Sequence, residues 1–294
     1  MRSKVSWWHT ERFKATLLSV LILAVLLGIW HLATLPKTAP AVTLTPEQIE
    51  YLQLMGKDPA AAASGETASA FPTLAQMGTV MVQHLSDPFY DNGPNDKGIG
   101  LQLGYSLGRV GLGYLIAALV AIPLGFVIGM SPLVYRALDP FIQVLKPISP
   151  LAWMPLALYT IKDSTISGIF VIFICSIWPM LINTAFGVAH VRKEWLHVAR
   201  TLEVSPWRTA FEVILPAAAP TILTGMRISM GIAWLVIVAA EMLVGGTGVG
   251  YFVWNEWNNL SLPNVIFAIL TIGVVGMWLD AAFGRLQKGV SYVD

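Results

Sequence analysis

Six apolar runs, each close to the roughly twenty residues that cross the hydrocarbon of a bilayer as a helix, constrain this chain more than any other feature. They cover Thr16–Leu35, Val110–Met130, Pro140–Ile161, Ser167–Val188, Thr221–Val244 and Asn264–Phe283. Only 12% of the residues are charged, against about 25% in an ordinary soluble domain. The expected fold is therefore an all-α membrane protein with six transmembrane helices. The net charge of +1 gives no reason to expect a nucleic-acid partner. Cys175 is the single cysteine and lies in an apolar run, which fits packing and excludes an intrachain disulfide or a cysteine metal site. The first run follows Arg12 and Lys14. It is too long for a signal peptide and has no small-residue cleavage site after it, so it reads as an uncleaved anchor.

Basic residues set the expected orientation. With the N-terminus and the polar stretch after the fourth span inside, Arg2, Lys4, Arg12, Lys14, Arg136, Arg192, Lys193, Arg200, Arg208, Arg227, Arg285 and Lys288 are cytoplasmic, 12 of the 18 basic residues. Lys37, Lys57, Lys97 and Lys162 fall outside. Both termini are then cytoplasmic. The expected organisation is an N-terminus and first span (1–35), an outer segment with short helices (36–100), a core of five spans (101–285) enclosing a loop at 190–219, and a tail (286–294). Within the outer segment, Thr45 caps a short helix that starts at Pro46. Ala60–Ala70 is small and flexible in composition. Thr73–Leu85 is an amphipathic helix, and Asp87–Gly100 is rich in turn residues.

Gly104 and Gly108, and again Gly125 and Gly129, place small residues on one helix face and predict close helix packing. Asn183, Thr184 and Ser176 are expected to hydrogen-bond between helices. Pro147, Pro150 and Pro155 cannot share one straight helix. Broken backbone at membrane depth needs protein or a water-filled cavity around it. The segment is thus expected beside a path through the membrane, the alternative being a kinked, lipid-facing entry to a span. Three ionisable residues accompany it as path candidates. Lys146 lies next to the prolines, Arg109 opens the second span, and Glu241 lies near the outer end of the fifth. Lys146 and Arg109 can attract an anion, or snorkel or pair instead. For Glu241 a structural partner such as Arg109 is the preferred reading.

No G-x-x-x-x-G-K-[ST] occurs, so no ATP-phosphate cradle is expected on this chain. The run Gly245–Gly250 follows a span and reads as an outer turn. The five histidines lack metal spacing and no catalytic arrangement stands out, so neither an enzyme nor a resident cofactor is expected. Trp30, Trp254 and Trp257 sit where interfacial belt residues belong.

The stretch Glu194–Pro220 is a polar island between two spans, and its charges place it outside the bilayer. Val198, Ala199 and Leu202 fall at helical spacing and predict one short helix. Ser205-Pro206 starts a second, and Leu215-Pro216 is expected to end it. This segment resembles the cytoplasmic loop of permease subunits of bacterial ABC importers, with the family pattern E-A-A, three residues, G, nine residues, I-x-L-P. Here His197-Val198-Ala199 stands at E-A-A, Glu203 at the glycine, and Val213-Ile214-Leu215-Pro216 at the tail. From about Phe71 onward, SLGRVGLGYLIAALVAIPLG, ISPLAWMPLALY and TGMRISMGIAWLVIVAAEML are similar to the nitrate/sulfonate/taurine branch, and PFYDNGPNDKGIG is most similar to nitrate permeases.

The resemblance implies a type I importer permease of the bacterial inner membrane, working as a homodimer. Two separate ATPase subunits would hold ATP and Mg, and a periplasmic or lipid-anchored binding protein would deliver a small anion. The implied anion is nitrate or nitrite; bicarbonate, cyanate and sulfonates or taurine remain alternatives. His197, Ala199, Leu202, Glu203, Ser205, Arg208 and Pro216 are then expected to couple the chain to the ATPase. Lys146, Pro147, Pro150, Arg109 and Glu241 are expected along the path. A secondary transporter would show internal inverted repeats, which the sequence lacks. A scaffold would leave the broken Pro147–Pro155 segment without a purpose.

Overall fold

The computed structural model describes residues 6–35, 37–38, 45–54, 66–67, 71–93 and 95–290. Met55, Gly56, Lys57 and most of the Ala60–Ala70 stretch lie outside the described residues, as do Arg2 and Lys4. The chain forms two compact units, 1–83 and 84–294.

The first unit opens with α1 (Ser6–Ala33), whose Phe13–Ala33 part is apolar on all sides and exposed. A helix without a polar face suits a lipid surround. Trp30 Nε1 donates to Pro72 O at 2.8 Å, and its ring meets Phe71 at 5.4 Å. A two-residue antiparallel pair, β1 (Lys37–Thr38) with β2 (Glu66–Thr67), is a small departure from an all-α chain. Helix α2 (Pro46–Leu54) starts where the sequence places it, with Gln48 Oε1 accepting from Thr45 N at 3.1 Å. Helix α3 (Leu74–Ser86) has a full capping box. Gln76 Oε1 accepts from Thr73 N at 2.9 Å, and Thr73 Oγ1 accepts from Gln76 N at 3.3 Å.

The second unit is a helical bundle of α4 (Ile99–Met130), α5 (Pro132–Leu145), α6 (Pro150–Ile161), α7 (Ser164–Ala189), α8 (Lys193–Thr201), the single turn α9 (Pro206–Arg208), a π-helical turn (Thr209–Ile214), α10 (Leu215–Val244), α11 (Val249–Asn258) and α12 (Leu262–Val290). Helix α7 lies at its centre. A side chain added at Gly125 of α4 would meet Leu181 O of α7 at 2.7 Å, and one at Gly129 would meet Ala185 O at 2.6 Å. On α10, Gly225 stands equally close to Pro179 O of α7, at 2.8 Å. The second glycine pair therefore packs as its spacing predicts. The first does not, because Gly104 and Gly108 have no atom within 4 Å of a built Cβ.

Polar links tie the helices together. Tyr114 Oη donates to Met226 O at 3.0 Å and Trp234 Nε1 to Ile272 O at 3.0 Å. Arg227 of α10 makes two 2.6 Å contacts to Asp280 of α12, an exposed ion pair between the two helices. The polar residues of α7 act differently from expectation. Asn183 Nδ2 donates to Pro179 O of its own helix, and the interhelical bond at Ser176 runs from Ser229 Oγ to the Ser176 carbonyl at 2.7 Å. The hydroxyls of Ser176 and Thr184 are buried without a partner among the described residues.

Among the described residues, five helices are long and apolar enough to cross a membrane, and the bent pair α5–α6 makes a sixth crossing if counted as one span. The expected third span is not one helix. Its halves meet at 91°. Pro147 and Pro150 break the backbone between them, since proline lacks an N–H and its ring crowds the preceding turn. Two other boundaries move. The second span begins at Ile99, so Arg109 lies well inside a helix instead of at its start. Leu215-Pro216 ends nothing, because helical backbone runs unbroken from Pro206 to Val244. The π turn accounts for this. Leu215 N bonds to Ala210 O five residues back, a wider turn that makes room for the Pro216 ring.

Candidate functional site

Three features of the second unit carry the chemistry: an exposed two-helix segment, a cavity at the broken helix, and a buried polar cluster at the opposite end of α10.

The exposed segment has an inner and an outer row. Ala199 and Ala210 are buried, and Val188, Val191, Ile214, Ala218 and Ile222 form the buried cluster that anchors the segment to α7 and α10. Val198, Leu202, Trp207 and Phe211 face outward, Trp207 at 76% exposure. His197, Ser205, Arg208 and Pro216 are also exposed. Apolar side chains this open on a charged loop form a surface suited to a protein partner. Helix α8 ends in a Schellman turn, with Val204 N bonded to Ala199 O and Glu203 N to Arg200 O, both at 3.0 Å. Glu203 stands at φ +51°, a left-handed position that suits glycine. This is the place where the importer pattern carries its glycine, so the departure is a local strain. Glu203→Gly is expected to stabilise the purified chain by up to about 1 kcal/mol, read as a rise in Tm; a lower Tm contradicts the strain. Ser205 precedes α9 as expected, but its hydroxyl makes no cap bond.

At the break between α5 and α6, a cavity of about 270 Å³ is lined by Lys146, Pro147, Ser149, Pro150, Trp153, Cys175 and Trp178. A second cavity of about 450 Å³ lies between α5 and the ends of α4 and α7, reaching His190, and Lys146 lines it too. Lys146 is exposed to both and is the one Lys or Arg in either lining. Discontinuous helices of this kind place binding sites within a bilayer. Lys146, Pro147 and Pro150 thus come together as path candidates.

Arg109 and Glu241 do not join them. Glu241 is 4% exposed. Its carboxylate accepts from Arg109 Nη1 at 2.8 Å, from Ser106 Oγ at 2.8 and 2.9 Å, and from Gly250 N at 3.0 Å. Arg109 also donates to Thr247 O and, at 3.1 Å, to Thr247 Oγ1. Gln102 Oε1 accepts from Gly248 N at 2.5 Å, and Ser106 Oγ accepts from Val249 N at 2.9 Å. The first N–H groups of α11, which no helical carbonyl can reach, are met by side chains of α4 and α10. A carboxylate is well placed there, at the positive end of a helix. Gly248 stands at φ +136°, and a Cβ on it would lie 2.1 Å from the Glu241 carboxyl carbon. The turn Gly245–Gly248 is therefore a clamped turn, and the Arg109–Glu241 pair preferred from sequence is formed. Gln102, Ser106 and Thr247 were missed. The signal was present, since Gln102, Ser106 and Arg109 lie at i, i+4 and i+7, one polar stripe on an apolar helix.

A bundle of apolar helices with a broken helix beside a cavity and an exposed apolar two-helix segment is the architecture of a membrane permease. Residues 121–292 match the model of the binding-protein-dependent transport system inner membrane component, and the chain belongs to that family. It is 46% identical over 225 residues to the nitrate import permease protein NrtB of Synechocystis sp., covering 76% of this chain and 82% of that protein. It is 44% identical over 202 residues to the bicarbonate transport system permease protein CmpB of the same organism, covering 68% and 72%. The fold is that of ABC importer permeases. The inward-facing MetNI methionine ABC transporter superposes with a TM-score of 0.57 at 14% identity over 64% of this chain and 94% of the other. An amino acid ABC transporter gives 0.57 at 14% over 74% and 98%.

Proposed function

We propose that this chain is the permease subunit of an ATP-driven importer that carries a small inorganic anion, nitrate, inward across a bacterial inner membrane. The observation that carries the substrate is the 46% identity to nitrate import permeases over most of both chains. Bicarbonate is the second reading, favoured by the 44% identity to a bicarbonate permease. The chain works as a homodimer with two ATPase subunits, which hold ATP and Mg, and with a periplasmic or lipid-anchored binding protein. Both termini and the segment with α8 and α9 face the cytoplasm.

The binding protein releases the anion at the outer mouth. Closure of the ATPase pair moves the segment that carries His197, Ala199, Leu202, Glu203, Ser205, Arg208 and Pro216. The bundle then opens its path inward. The energy comes from contacts that differ between the two states. Lys146 supplies the positive charge at the broken helix, the place where a desolvated anion most needs one.

A charge-assisted contact is worth about 1.5–3 kcal/mol. Lys146→Gln is therefore expected to lower ATP-dependent nitrate uptake by about tenfold or more, with Lys146→Arg retaining most of it. Unchanged uptake in the glutamine variant removes Lys146 from the path. Arg208 and Glu212 form an exposed pair at 3.2 Å, a contact of about 0–1 kcal/mol at most. Arg208→Glu is accordingly expected to leave Tm nearly unchanged while reducing co-purification of the ATPase. Undiminished co-purification counts against a docking role for Arg208.

A further inference from the structure

The clamped turn lies at the far end of the helix that starts in the docking segment. Helical backbone from Pro206 to Val244 comprises 39 residues, about 58 Å at 1.5 Å per residue. One end carries Trp207, Arg208 and Phe211. At the other end Glu241 grips the first turn of α11. The grip leaves no slack. A Cβ at Gly250 would lie 2.1 Å from Val238 O, so α11 lies directly against the backbone of α10. Gln102, Ser106 and Arg109 tie the same turn to α4. The turn therefore cannot shift unless α10 or α4 shifts with it. Beyond the turn, α11 exposes Trp254 and Trp257, and Leu260, two residues past its end, is 90% exposed at φ +57°.

We propose that Glu241, with Arg109 and Ser106, is a positioning residue for the transport reaction. It fixes the outer turn and α11 to the helix that begins at the ATPase-facing segment, so that arrival of the loaded binding protein at the outer face is registered at the ATPase. Neither Glu241 nor Arg109 then binds the transported anion, because their charges are spent on each other and on the turn. This rests on the importer reading given above.

The test is the ATPase rate of the reconstituted complex with and without nitrate-loaded binding protein, alongside its Tm. Glu241→Gln keeps the side-chain shape and removes the charge. Ser106→Ala and Thr247→Val are milder and keep the ion pair. For a coupling residue, the ratio of stimulated to basal rate is expected to fall by about fivefold or more in Glu241→Gln, and by less in the milder variants. A merely structural residue would lower both rates together and leave the ratio unchanged. An unchanged ratio in Glu241→Gln, or in both milder variants should Glu241→Gln not fold, overturns the proposal. Wild-type complex that shows neither stimulation nor ATP-dependent uptake overturns the importer reading instead, so the two failures are distinct.

Discussion

Glu241→Ala is expected to cost about 3–5 kcal/mol of folding free energy, the usual penalty for breaking a buried ion pair from one side. The arithmetic does not rest on the pair alone. Removing the carboxylate leaves the Arg109 guanidinium, 14% exposed, with only the Thr247 acceptors. It also strips the acceptor from Gly250 N, whereas Ser106 Oγ keeps the Gln102 carbonyl at 3.1 Å. Each unsatisfied buried donor adds about 1–3 kcal/mol of lost solvation. Thermal unfolding of the purified chain in detergent reads the loss. The double variant Arg109→Met with Glu241→Met removes both charges and is expected to be less damaging than Glu241→Ala. A Glu241→Ala protein with wild-type Tm would mean that the cluster is solvated.

Alanine at Gly125 and Gly129 is the second large effect. The new methyl groups would lie 2.7 Å from Leu181 O and 2.6 Å from Ala185 O. Both obstacles are backbone, so no side chain can turn aside and α4 must move off α7. Overpacking of this kind costs about 1–3 kcal/mol per site. Alanine at Gly104 and Gly108 meets nothing within 4 Å and is expected to be neutral or stabilising, by up to about 1 kcal/mol each from helix propensity. Tm should fall in the first pair and hold or rise in the second. Equal behaviour of the two pairs contradicts the α4–α7 packing.

These glycines also show what a sequence can disclose. Both pairs have the same spacing, and spacing alone cannot say which one faces a neighbour. The apolar runs were legible because burial in lipid demands them along the whole span. The start of α4 was not, because Gln102, Ser106 and Arg109 lower its hydropathy, although Ser106 and Arg109 bond a buried carboxylate and Gln102 the buried turn beside it. The break at Pro147 and Pro150 was legible from proline chemistry, as was Pro206 as a helix start. Pro216 misled, since the π turn that absorbs its ring is a property of backbone hydrogen bonding with no residue signature of its own. The strain at Glu203 appeared first as a missing glycine in a pattern and acquired its meaning only with φ +51°.

Uptake of labelled nitrate is the decisive measurement, made in proteoliposomes that hold this chain with its ATPase and binding protein. Bicarbonate, cyanate, taurine and a sulfonate are added in turn as competitors. ATP-dependent nitrate entry that resists the competitors is the expected result. ATP-dependent entry of another anion in place of nitrate would keep the mechanism and change the cargo. Nitrate entry that needs no ATP would contradict an importer driven from the docking segment.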